Sequence, residues 1–557
     1  MLISNHSRVQ LIIGILKHYK IKTIVICPGS RNAPFIVSFK EDPWFNVYVI
    51  VDERSAAYFA MGNALKENTP TVLVCTSGTA AANFYPATIE SYFQQTPLIV
   101  ITADRPEYLE NRWDGQMINQ KGLFDNHIKC SVNLSESLDK KSISHDMRCI
   151  DLAVYTSLNS PAGPVHLNVP FTEPLYDKIE SSESLPIRSV KRFSQFTVSP
   201  GGLDYVKSAL AQSEKKMIVI GQSHFSEELN SNLERILEWD NNIVVVAEAI
   251  SNVITSKAIR SIDEVLGDFS QHESTDAMPD TLLFFGGALV SKKFKSFISS
   301  ANLRECIYVG AEGNSPDPFF SLTVSFQCQA TDFIDQLAQC LAENKAEANN
   351  SSPSFANRWR TAYDNVKLQQ SRIIDDSLFS EIKILSLIFD QLPKNSVVHL
   401  GNSLPVRLAD KVPHHASFKY LSNRGTGGID GCLSTAAGYA LLSDQPNFIV
   451  LGDLSFFYDS NALCIKDFPS NLIIIILNNR GGGIFRTIPG AKNEEGREKF
   501  LAARHAFDAE KLAGNFHFSY FSAHNEKELN QLLTAVTSSD NAANNAQPKI
   551  IEVFPNE

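Results

Sequence analysis

Residues 448–485 read FIVLGDLSFFYDSNALCIKDFPSNLIIIILNNRGGGIF and contain two apolar runs, each of which ends in polar residues. The first run, Phe448–Leu451, is followed at once by Gly-Asp, and the second, Leu472–Leu477, is followed by Asn-Asn. The segment between them has the length of a helix, so the pattern predicts two buried parallel strands joined by a crossover. Polar side chains at the carboxyl ends of such strands lie where open α/β sheets bind ligands.

Asp453 and Asn479, together with the backbone carbonyl of Gly481, form a set of hard oxygen ligands suited to Mg²⁺ or Mn²⁺. A single protein carboxylate leaves such an ion partly charged, so a diphosphate would complete its shell. The glycines at 481–483 allow the backbone to approach that ligand closely. Gly-Asp alone is more often a helix cap or turn. The complete pattern of GD, a helix-length gap, a strand and NN-x-G is much rarer and favours the metal site.

The rest of the chain repeats the alternation of strand and helix. Strands are predicted at Thr23–Cys27, Val47–Val51, Thr71–Cys75, Leu98–Thr102, Val165–Val169, Met217–Ile220, Ile243–Ala247, Leu282–Phe285, Val397–Leu400 and Lys549–Phe554. Polar stretches near 177–202 and 342–352 are predicted linkers. We therefore expect an α/β protein with three domains, at 1–180, 195–345 and 355–557, each a largely parallel sheet covered by helices. The first and last domains have the same pattern.

Composition restricts the class of protein. The chain has 557 residues, 43% hydrophobic and 20% charged, which is typical of a globular protein with several cores. A net charge of −11 argues against nucleic-acid or anionic-membrane partners. Nine cysteines without a CxxC pair, an N-terminal amphipathic helix without a cleavage site and no apolar span predict a cytoplasmic protein.

Polar residues also follow strands in the first third. Glu53 follows VYVIV and precedes an Ala-rich helix. A glutamate in such a place is most often solvated; the alternative is an acid in apolar surroundings, whose raised pKa lets it exchange a proton. Ser30 and Arg31 follow TIVIC at a helix start, and Arg105 follows LIVIT. On an acidic chain, two guanidinium groups at one sheet edge indicate an anionic substrate.

Two turns in the last third each contain an arginine that follows a predicted strand. SLPVR places Ser403 and Arg407 after a strand, and SNRGTGGIDG places Arg424 and Ile429 after another. In the middle third, Lys292 or Lys293 of GGALVSKK offers a further cation, with a solvated surface lysine as the more common alternative.

The motifs PGSR, DERSAAYFAMG, TSGTA, TADRP, SLPVR, SNRGTGGIDG, GDLS and NNRGGGIF span Pro28–Phe485 and together resemble those of thiamine diphosphate enzymes. Their order and detail are similar to the menaquinone-pathway branch, the 2-succinyl-5-enolpyruvyl-6-hydroxy-3-cyclohexene-1-carboxylate synthases. Two departures are visible. Leu454 stands where most of the superfamily has glycine, which is itself typical of this branch, and Gly115 precedes Gln116 where we expect asparagine.

The resemblance implies a pyrimidine-binding domain, a central domain and a diphosphate-binding domain, with each cofactor shared between two subunits of a homodimer or a dimer of dimers. Glu53 would be the catalytic acid–base at N1′ of the aminopyrimidine, and Ile429 the apolar wedge that bends the cofactor. The implied reaction is decarboxylation of 2-oxoglutarate and addition of the resulting carbanion to isochorismate. Arginines suit this chemistry because both substrates are dicarboxylates.

The resemblance also implies residue sets. The substrate set is Ser30, Arg31, Arg105, Gln116, Lys292, Ser403, Arg407, Arg424 and Phe485. The cofactor set is Glu53, Ser403, Ile429, Gly452, Asp453, Leu454, Ser455, Asn479, Gly481, Gly482 and Ile484. The metal set is Asp453, Asn479 and Gly481. One alternative is another thiamine diphosphate-dependent 2-oxoacid carboligase or decarboxylase; a second is a non-catalytic nucleotide-binding or scaffold protein.

Overall fold

The computed structural model describes residues 2–181, 184–192, 198–311, 315–343, 354–488, 490–537 and 547–556. Three six-stranded sheets dominate this part of the chain, and the strand pairs within each of them are parallel. Parallel sheets need helices on both faces, because their strands are apolar on both sides. The predicted class, an α/β protein built from largely parallel sheets covered by helices, is confirmed.

The strands are short and mostly buried. The first sheet contains β2 (Thr23–Ile26), β3 (Asn46–Val49), β4 (Thr71–Cys75), β5 (Leu98–Asp104), β6 (Ser131–Asn133) and β7 (Val165–Pro170). A separate antiparallel pair joins β1 (Leu2–Ser4) to β8 (Lys178–Glu180). The central sheet contains β9 (Lys216–Ile220), β10 (Ile243–Ala247), β11 (Ala258–Ile259), β12 (Thr281–Phe285), β13 (Glu305–Gly310) and β14 (Val324–Gln327). The last sheet contains β15 (Val397–Leu400), β16 (Lys419–Leu421), β17 (Asn447–Gly452), β18 (Leu472–Leu477), β19 (Ser519–Ala523) and β20 (Lys549–Val553).

Helices connect the strands and cover the sheets. Those around the first sheet are α1 (Ser7–His18), α2 (Ala33–Phe39), α3 (Glu53–Glu67), α4 (Thr79–Asn83), α5 (Tyr85–Phe93) and α6 (Lys140–Leu158). The middle of the chain forms α7 (Pro200–Ala211), α8 (Glu227–Trp239), α9 (Ile262–Asp268), α10 (Gln271–Asp276), α11 (Lys292–Ser299), α12 (Ala330–Glu343) and α13 (Ser354–Asp376). The last part forms α14 (Glu381–Gln391), α15 (Leu404–Leu408), α16 (Cys432–Leu441), α17 (Asp453–Tyr458), α18 (Arg497–Phe500), α19 (Glu510–Asn515) and α20 (Glu526–Thr537).

The first and last sheets have the same topology. Their orders are β3-β2-β4-β5-β7-β6 and β16-β15-β17-β18-β20-β19, so the six strands of each sheet follow the order 2-1-3-4-6-5. The central sheet, β11-β10-β9-β12-β13-β14, has instead the doubly wound order 3-2-1-4-5-6. The shared topology explains why the sequence pattern of the first third returns in the last.

Three local predictions need correction. The predicted N-terminal helix begins only at Ser7, because Leu2–Ser4 pairs with Lys178–Glu180 as a strand. The same pairing, and the start of α7 at Pro200, place regular structure inside the predicted linker 177–202, of which 182–183 and 193–197 lie outside the described residues. The predicted linker 342–352 begins inside α12, and its residues 344–352 lie outside the described residues as well.

Helices α3 and α16 join the first sheet to the last. A Cβ added to Gly62 would lie 2.0 Å from the carbonyl oxygen of Thr435, and one added to Gly438 would lie 2.0 Å from that of Phe59. Two glycines facing the partner backbone allow the helices to approach more closely than side chains would permit. Because α3 begins at Glu53, this contact fixes the helix that carries the predicted catalytic acid.

No helix of the described part of the chain combines the length and the apolar character needed to cross a membrane.

Candidate active site

Glu53 lines a cleft of about 570 Å³ at the carboxyl edge of the first sheet. The walls come from the turns after β2 and β4, which are Pro28-Gly29 and 76–80, and from the loop segment 116–118. Burial raises the pKa of the Glu53 carboxyl above its ordinary value, and the neighbouring carboxylate of Asp52 raises it further. An acid whose neutral form is favoured in this way gives and takes a proton more readily than an ordinary ionised glutamate.

The residues on either side of Glu53 are both attached to the last third of the chain. Asp52 caps α3 by accepting from the backbone N–H of Ser55 at 2.8 Å, and its second oxygen accepts from Asn461 at 2.6 Å. Arg54 donates to the carbonyl of Tyr458 at 2.6 Å and lies 4.6 Å from the centre of the Tyr458 ring. These contacts hold the first turn of α3 and leave Glu53 facing the cleft.

Asp453 stands at the junction of β17 and α17, on the carboxyl edge of the last sheet. Its side chain is buried; one carboxylate oxygen accepts from Leu454 N–H at 2.7 Å and the other from Gly481 N–H at 2.8 Å. Burial raises its pKa, although both hydrogen bonds act in the opposite direction. The contact with Gly481 brings the ends of the neighbouring strands β17 and β18 together, as the sequence predicts.

Asn479 presents the oxygen that a cation would need. Its Nδ2 donates to Glu381 at 3.0 Å, whereas its buried Oδ1 has no hydrogen-bond partner among the described residues. A buried acceptor without a partner is costly, so this oxygen gains from any donor or cation that reaches it. A Cβ on Gly483 would lie 2.3 Å from Asn479 Nδ2, so the glycine leaves the amide its room. The carbonyl of Gly481 accepts from Gly483 N–H at 3.0 Å.

The chemistry of this donor set fits Mg²⁺ or Mn²⁺ bound with a diphosphate, because hard cations prefer oxygen ligands and keep positions open for phosphate. Within the described part of the chain, no three His, Cys, Asp or Glu side chains converge as a metal cluster. A set with one carboxylate, one amide and one backbone carbonyl depends on a further anion to balance the ion's charge.

Several other predicted cofactor residues lie beside Asp453 in the sequence or on the segments that are joined to it. Ser455 donates to the carbonyl of Ile429 at 2.6 Å and thereby joins the SNRGTGGIDG loop to α17. Gly452 is the N-cap of α17, and Gly482 donates its N–H to Ala502 at 2.6 Å. Ile484 and Phe485 are half-buried in the 3₁₀ turn that follows the three glycines. The structure therefore places segments 452–455 and 481–484, together with Ile429, at one edge of the last sheet, and these hold most of the cofactor residues predicted in the last third.

His505 is a neighbour of Asp453 that the sequence did not predict. Its Nε2 lies 3.2 Å from a carboxylate oxygen of Asp453, and its Nδ1 accepts from Phe507 N–H at 3.1 Å. In the neutral ring this bond leaves the proton on Nε2, which faces the carboxylate. His505 lies in an irregular loop that follows α18, so no strand-end signal marks it.

Arg407 and Arg424 are two neighbouring cations, and neither forms an ion pair with a carboxylate among the described residues. Arg407 donates to the carbonyl of Ser403, and Arg424 donates to Oδ1 of Asn402 at 3.0 Å. Ser403 has a left-handed backbone, with φ of 75°. Burial lowers the pKa of both guanidinium groups, and repulsion from Arg424 lowers that of Arg407 further. Two half-buried cations that repel each other favour the binding of an anion between them.

Glu248, at the end of β10 in the central sheet, is a buried carboxylate whose charge acts on both guanidinium groups. Its two oxygens accept from the backbone N–H groups of Val290 and Ser291, each at 2.7 Å. Burial raises its pKa. Lys295 interacts electrostatically with Glu248, Arg424, Lys292 and Arg407. Lys292 itself is exposed at the start of α11. Glu248 follows β10 directly, so the strand-end pattern that marked Glu53 could also have found it.

Arg31 and Arg105, the two arginines of the first third that were predicted to bind substrate, contact other residues of the first third. Arg31 is buried; it donates to the carbonyl of Phe171 at 3.0 Å and lies 3.5 Å from Glu173. Arg105 lies 2.7 Å from a carboxylate oxygen of Asp114. The walls of the Glu53 cleft include neither arginine. Of the other predicted substrate residues here, Gln116 lines the cleft and Ser30 is exposed beside it in the turn after β2.

Residues 7–123 match a family model described as the N-terminal TPP binding domain of thiamine pyrophosphate enzymes, pyrophosphate being another name for diphosphate. The whole chain is similar to proteins named 2-succinyl-5-enolpyruvyl-6-hydroxy-3-cyclohexene-1-carboxylate synthase. That of Christiangramia forsetii is 35% identical over 553 residues, covering 96% of this chain and 93% of the relative. That of Flavobacterium johnsoniae is 36% identical over 546 residues, covering 98% and 95%, and that of Desulfotalea psychrophila is 37% identical over 499 residues, covering 89% and 90%.

The chain belongs to the 2-succinyl-5-enolpyruvyl-6-hydroxy-3-cyclohexene-1-carboxylate synthase family. It is an enzyme of the thiamine diphosphate class, as the resemblance of its motifs implies. Membership of this synthase family agrees with the GDLS motif, in which Leu454 replaces the glycine of most thiamine diphosphate enzymes.

Proposed function

We propose that this enzyme decarboxylates 2-oxoglutarate and joins the resulting four-carbon unit to isochorismate, giving 2-succinyl-5-enolpyruvyl-6-hydroxy-3-cyclohexene-1-carboxylate for menaquinone biosynthesis. The observation that carries the proposal is that Asp453, Gly481 and Asn479 meet at one sheet edge, where Oδ1 of Asn479 has no hydrogen-bond partner in the described part of the chain. The names of the synthase relatives support the product. Bound thiamine diphosphate would supply the nucleophilic carbon and the electron sink for both steps.

In this proposal the last domain holds the diphosphate and its cation. Asp453 and Asn479 supply side-chain oxygens to Mg²⁺ or Mn²⁺, and Gly481 supplies its carbonyl. The buried position of Asp453 supports this role, because a carboxylate withdrawn from water gains most from a cation beside it. The segment 452–455, with the first residues of α17, and the backbone of 481–484 would surround the phosphates.

Glu53 would hold and exchange the proton at N1′ of the aminopyrimidine. Three features support this role: its place in a cleft large enough for a heterocycle, its raised pKa, and the fixed first turn of α3. Ile429, which lies in the last third of the chain with Asp453, would press on the cofactor and hold it bent. The backbone of Ile429 is held by Ser455, which donates to its carbonyl.

The cleft of Glu53 is lined by residues of the first domain, whereas Asp453 and Asn479 stand on the edge of the last sheet. This separation supports a homodimer, or a dimer of dimers, in which Glu53 of one copy acts on a cofactor held by another. No disulfide joins any two of the cysteines in the described part of the chain, which supports a reducing compartment such as the cytoplasm.

Arginines would hold the substrates. Arg407 and Arg424 are the strongest candidates for a substrate carboxylate, because they repel each other and contact only neutral acceptors among the described residues. We also assign substrate contacts to the other residues of the predicted substrate set, which are Ser30, Arg31, Arg105, Gln116, Lys292, Ser403 and Phe485. Several guanidinium groups suit two dicarboxylates better than a monocarboxylate such as pyruvate.

A substrate screen with the intact enzyme, thiamine diphosphate and Mg²⁺ tests this function. We expect turnover of 2-oxoglutarate only together with isochorismate, detected by mass spectrometry of the product. Carboligation of pyruvate without turnover of this pair would make the enzyme another 2-oxoacid carboligase. The Glu53→Gln variant should lose turnover while retaining the wild-type affinity for Mg²⁺ and diphosphate measured by calorimetry. Turnover that survives in this variant would contradict the role of Glu53.

A further inference from the structure

Arg105, which the proposed function assigns to a substrate carboxylate, already has a carboxylate of its own chain beside it. Its Nη1 lies 2.7 Å from Oδ2 of Asp114, on the loop between β5 and β6. The side chains are 18% and 35% exposed, so solvent reaches both members of the pair. An ion pair of this kind contributes less than about 1 kcal/mol and is readily exchanged for another.

The geometry of the guanidinium favours replacement of Asp114 by an external carboxylate. Nε of Arg105 is buried and has no hydrogen-bond partner among the described residues. Asp114 therefore contacts one nitrogen, whereas a carboxylate that binds Nε and an Nη together would form two parallel bonds. A substrate carboxylate can thus offer Arg105 more than Asp114 does.

The base and the tip of this loop are held differently. At the base, buried Gln120 accepts from Gly78 N–H at 2.9 Å, and Lys121 pairs with Glu107 at 2.8 Å and with Glu110 at 3.0 Å. The tip comprises residues 111–116, and its Trp113 is fully exposed. The ion pair of Asp114 with Arg105 links the tip to the end of β5.

The tip also reaches the Glu53 cleft. Gln116, two residues after Asp114, lines the cleft beside the turn that contains Gly78. Three residues of the tip, Asn111, Trp113 and Gln116, have left-handed φ values of 59°, 60° and 58°. Side chains disfavour this region, so the tip conformation depends on contacts that hold it.

We propose that Asp114 is an internal competitor for Arg105: it holds the loop tip and covers the guanidinium until a substrate carboxylate displaces it. Asp114 then determines substrate affinity, and its release moves Gln116 at the cleft wall. This inference rests on the proposed function for the identity of the substrate, whereas the ion pair and the loop can be tested without it.

The kinetic test uses Asp114→Asn, which removes the charge and nearly preserves the shape. We expect the KM for one of the two dicarboxylates, 2-oxoglutarate or isochorismate, to fall about two- to fivefold at unchanged kcat, the range for a partly exposed ion pair. In an Arg105→Met background the same change should have no effect on KM. Glu110→Gln, which removes a loop carboxylate that pairs with Lys121, is the matched control and should keep the wild-type KM.

Hydrogen exchange of residues 111–117 in the substrate-free enzyme gives a second readout that does not need turnover. We expect faster exchange in Asp114→Asn and in Arg105→Met than in the wild type. A KM that rises or stays constant in Asp114→Asn, or exchange equal to the wild type, would overturn the proposal. If the wild type turns over neither dicarboxylate, the proposed function fails, while the exchange measurement still decides whether the pair holds the loop.

Discussion

Replacing Gly62 by Ala perturbs the contact on which the position of Glu53 depends. The new methyl group would lie 2.0 Å from the Thr435 carbonyl oxygen and 2.8 Å from Tyr439 N, both backbone atoms of α16. Neither atom can rotate away, so the helices must separate until the first distance reaches the 3.4 Å of ordinary contact. Overpacking of this kind costs about 3 kcal/mol, and the better helix propensity of alanine returns about 1 kcal/mol.

We therefore expect Gly62→Ala to lower the free energy of unfolding by about 2 kcal/mol, measured by urea denaturation followed by circular dichroism. Because α3 begins at Glu53, its displacement should also weaken the binding of thiamine diphosphate. Gly514→Ala is the matched control: this glycine is also helical, and an added Cβ has no atom within 4 Å. It should be neutral or more stable. A Gly62→Ala enzyme that unfolds at the wild-type urea concentration would show that α3 and α16 do not need a glycine at this contact.

Three further changes test separate parts of the structure. Asn479→Ala removes the unpartnered oxygen and should weaken Mg²⁺ binding at least about tenfold in calorimetry with thiamine diphosphate present, so wild-type affinity would exclude Asn479 as a ligand. Glu90 is buried and accepts from Gly425 N–H, Thr426 N–H and the Thr426 hydroxyl at 2.6 to 2.7 Å. Glu90→Gln turns one acceptor into a donor and should cost about 2 kcal/mol of stability and raise the KM for the substrates, whereas an unchanged melting temperature would contradict this role. Burial lowers the pKa of His166 to about 3 from its ordinary value of 6.5. As the pH falls below about 6.5, the unfolded chain binds a proton at this histidine and the folded chain does not, so the free energy of unfolding decreases. His166→Gln should reduce the loss of unfolding free energy between pH 7.5 and pH 5 by about 2 kcal/mol, and an equal loss in both proteins would disprove the assignment.

Much of the fold could be predicted because parallel strands covered on both faces are continuous apolar runs. Leu472–Leu477 and Thr71–Cys75 are strands over the ranges that their sequences indicate. Short edge pairings were missed, since Leu2–Ser4 and Lys178–Glu180 become strands only through each other. Their local sequences carry no alternation long enough to distinguish a strand from a loop.

Site residues at strand ends could be predicted because topology brings such positions to one edge of a sheet. Asp453 and Gly481 meet there, as expected. Partners from loops could not be predicted in this way. His505 reaches Asp453, and Asp114 reaches Arg105, from segments whose paths depend on tertiary packing. The sequence therefore locates the groups that we propose for the chemistry better than the side chains that hold them.

Mixed copies of two inactive variants test most directly whether the site is shared between subunits. Glu53→Gln and Asp453→Asn are each expected to be inactive. In a random mixture after subunit exchange, half of the dimers contain both variants, and in each of these one of the two sites has an intact Glu53 from one copy and an intact Asp453 from the other. If the site is shared between copies, the mixture regains about a quarter of the wild-type activity. A mixture that exchanges subunits and stays inactive would show that Glu53 and Asp453 must belong to the same chain, which contradicts a shared site.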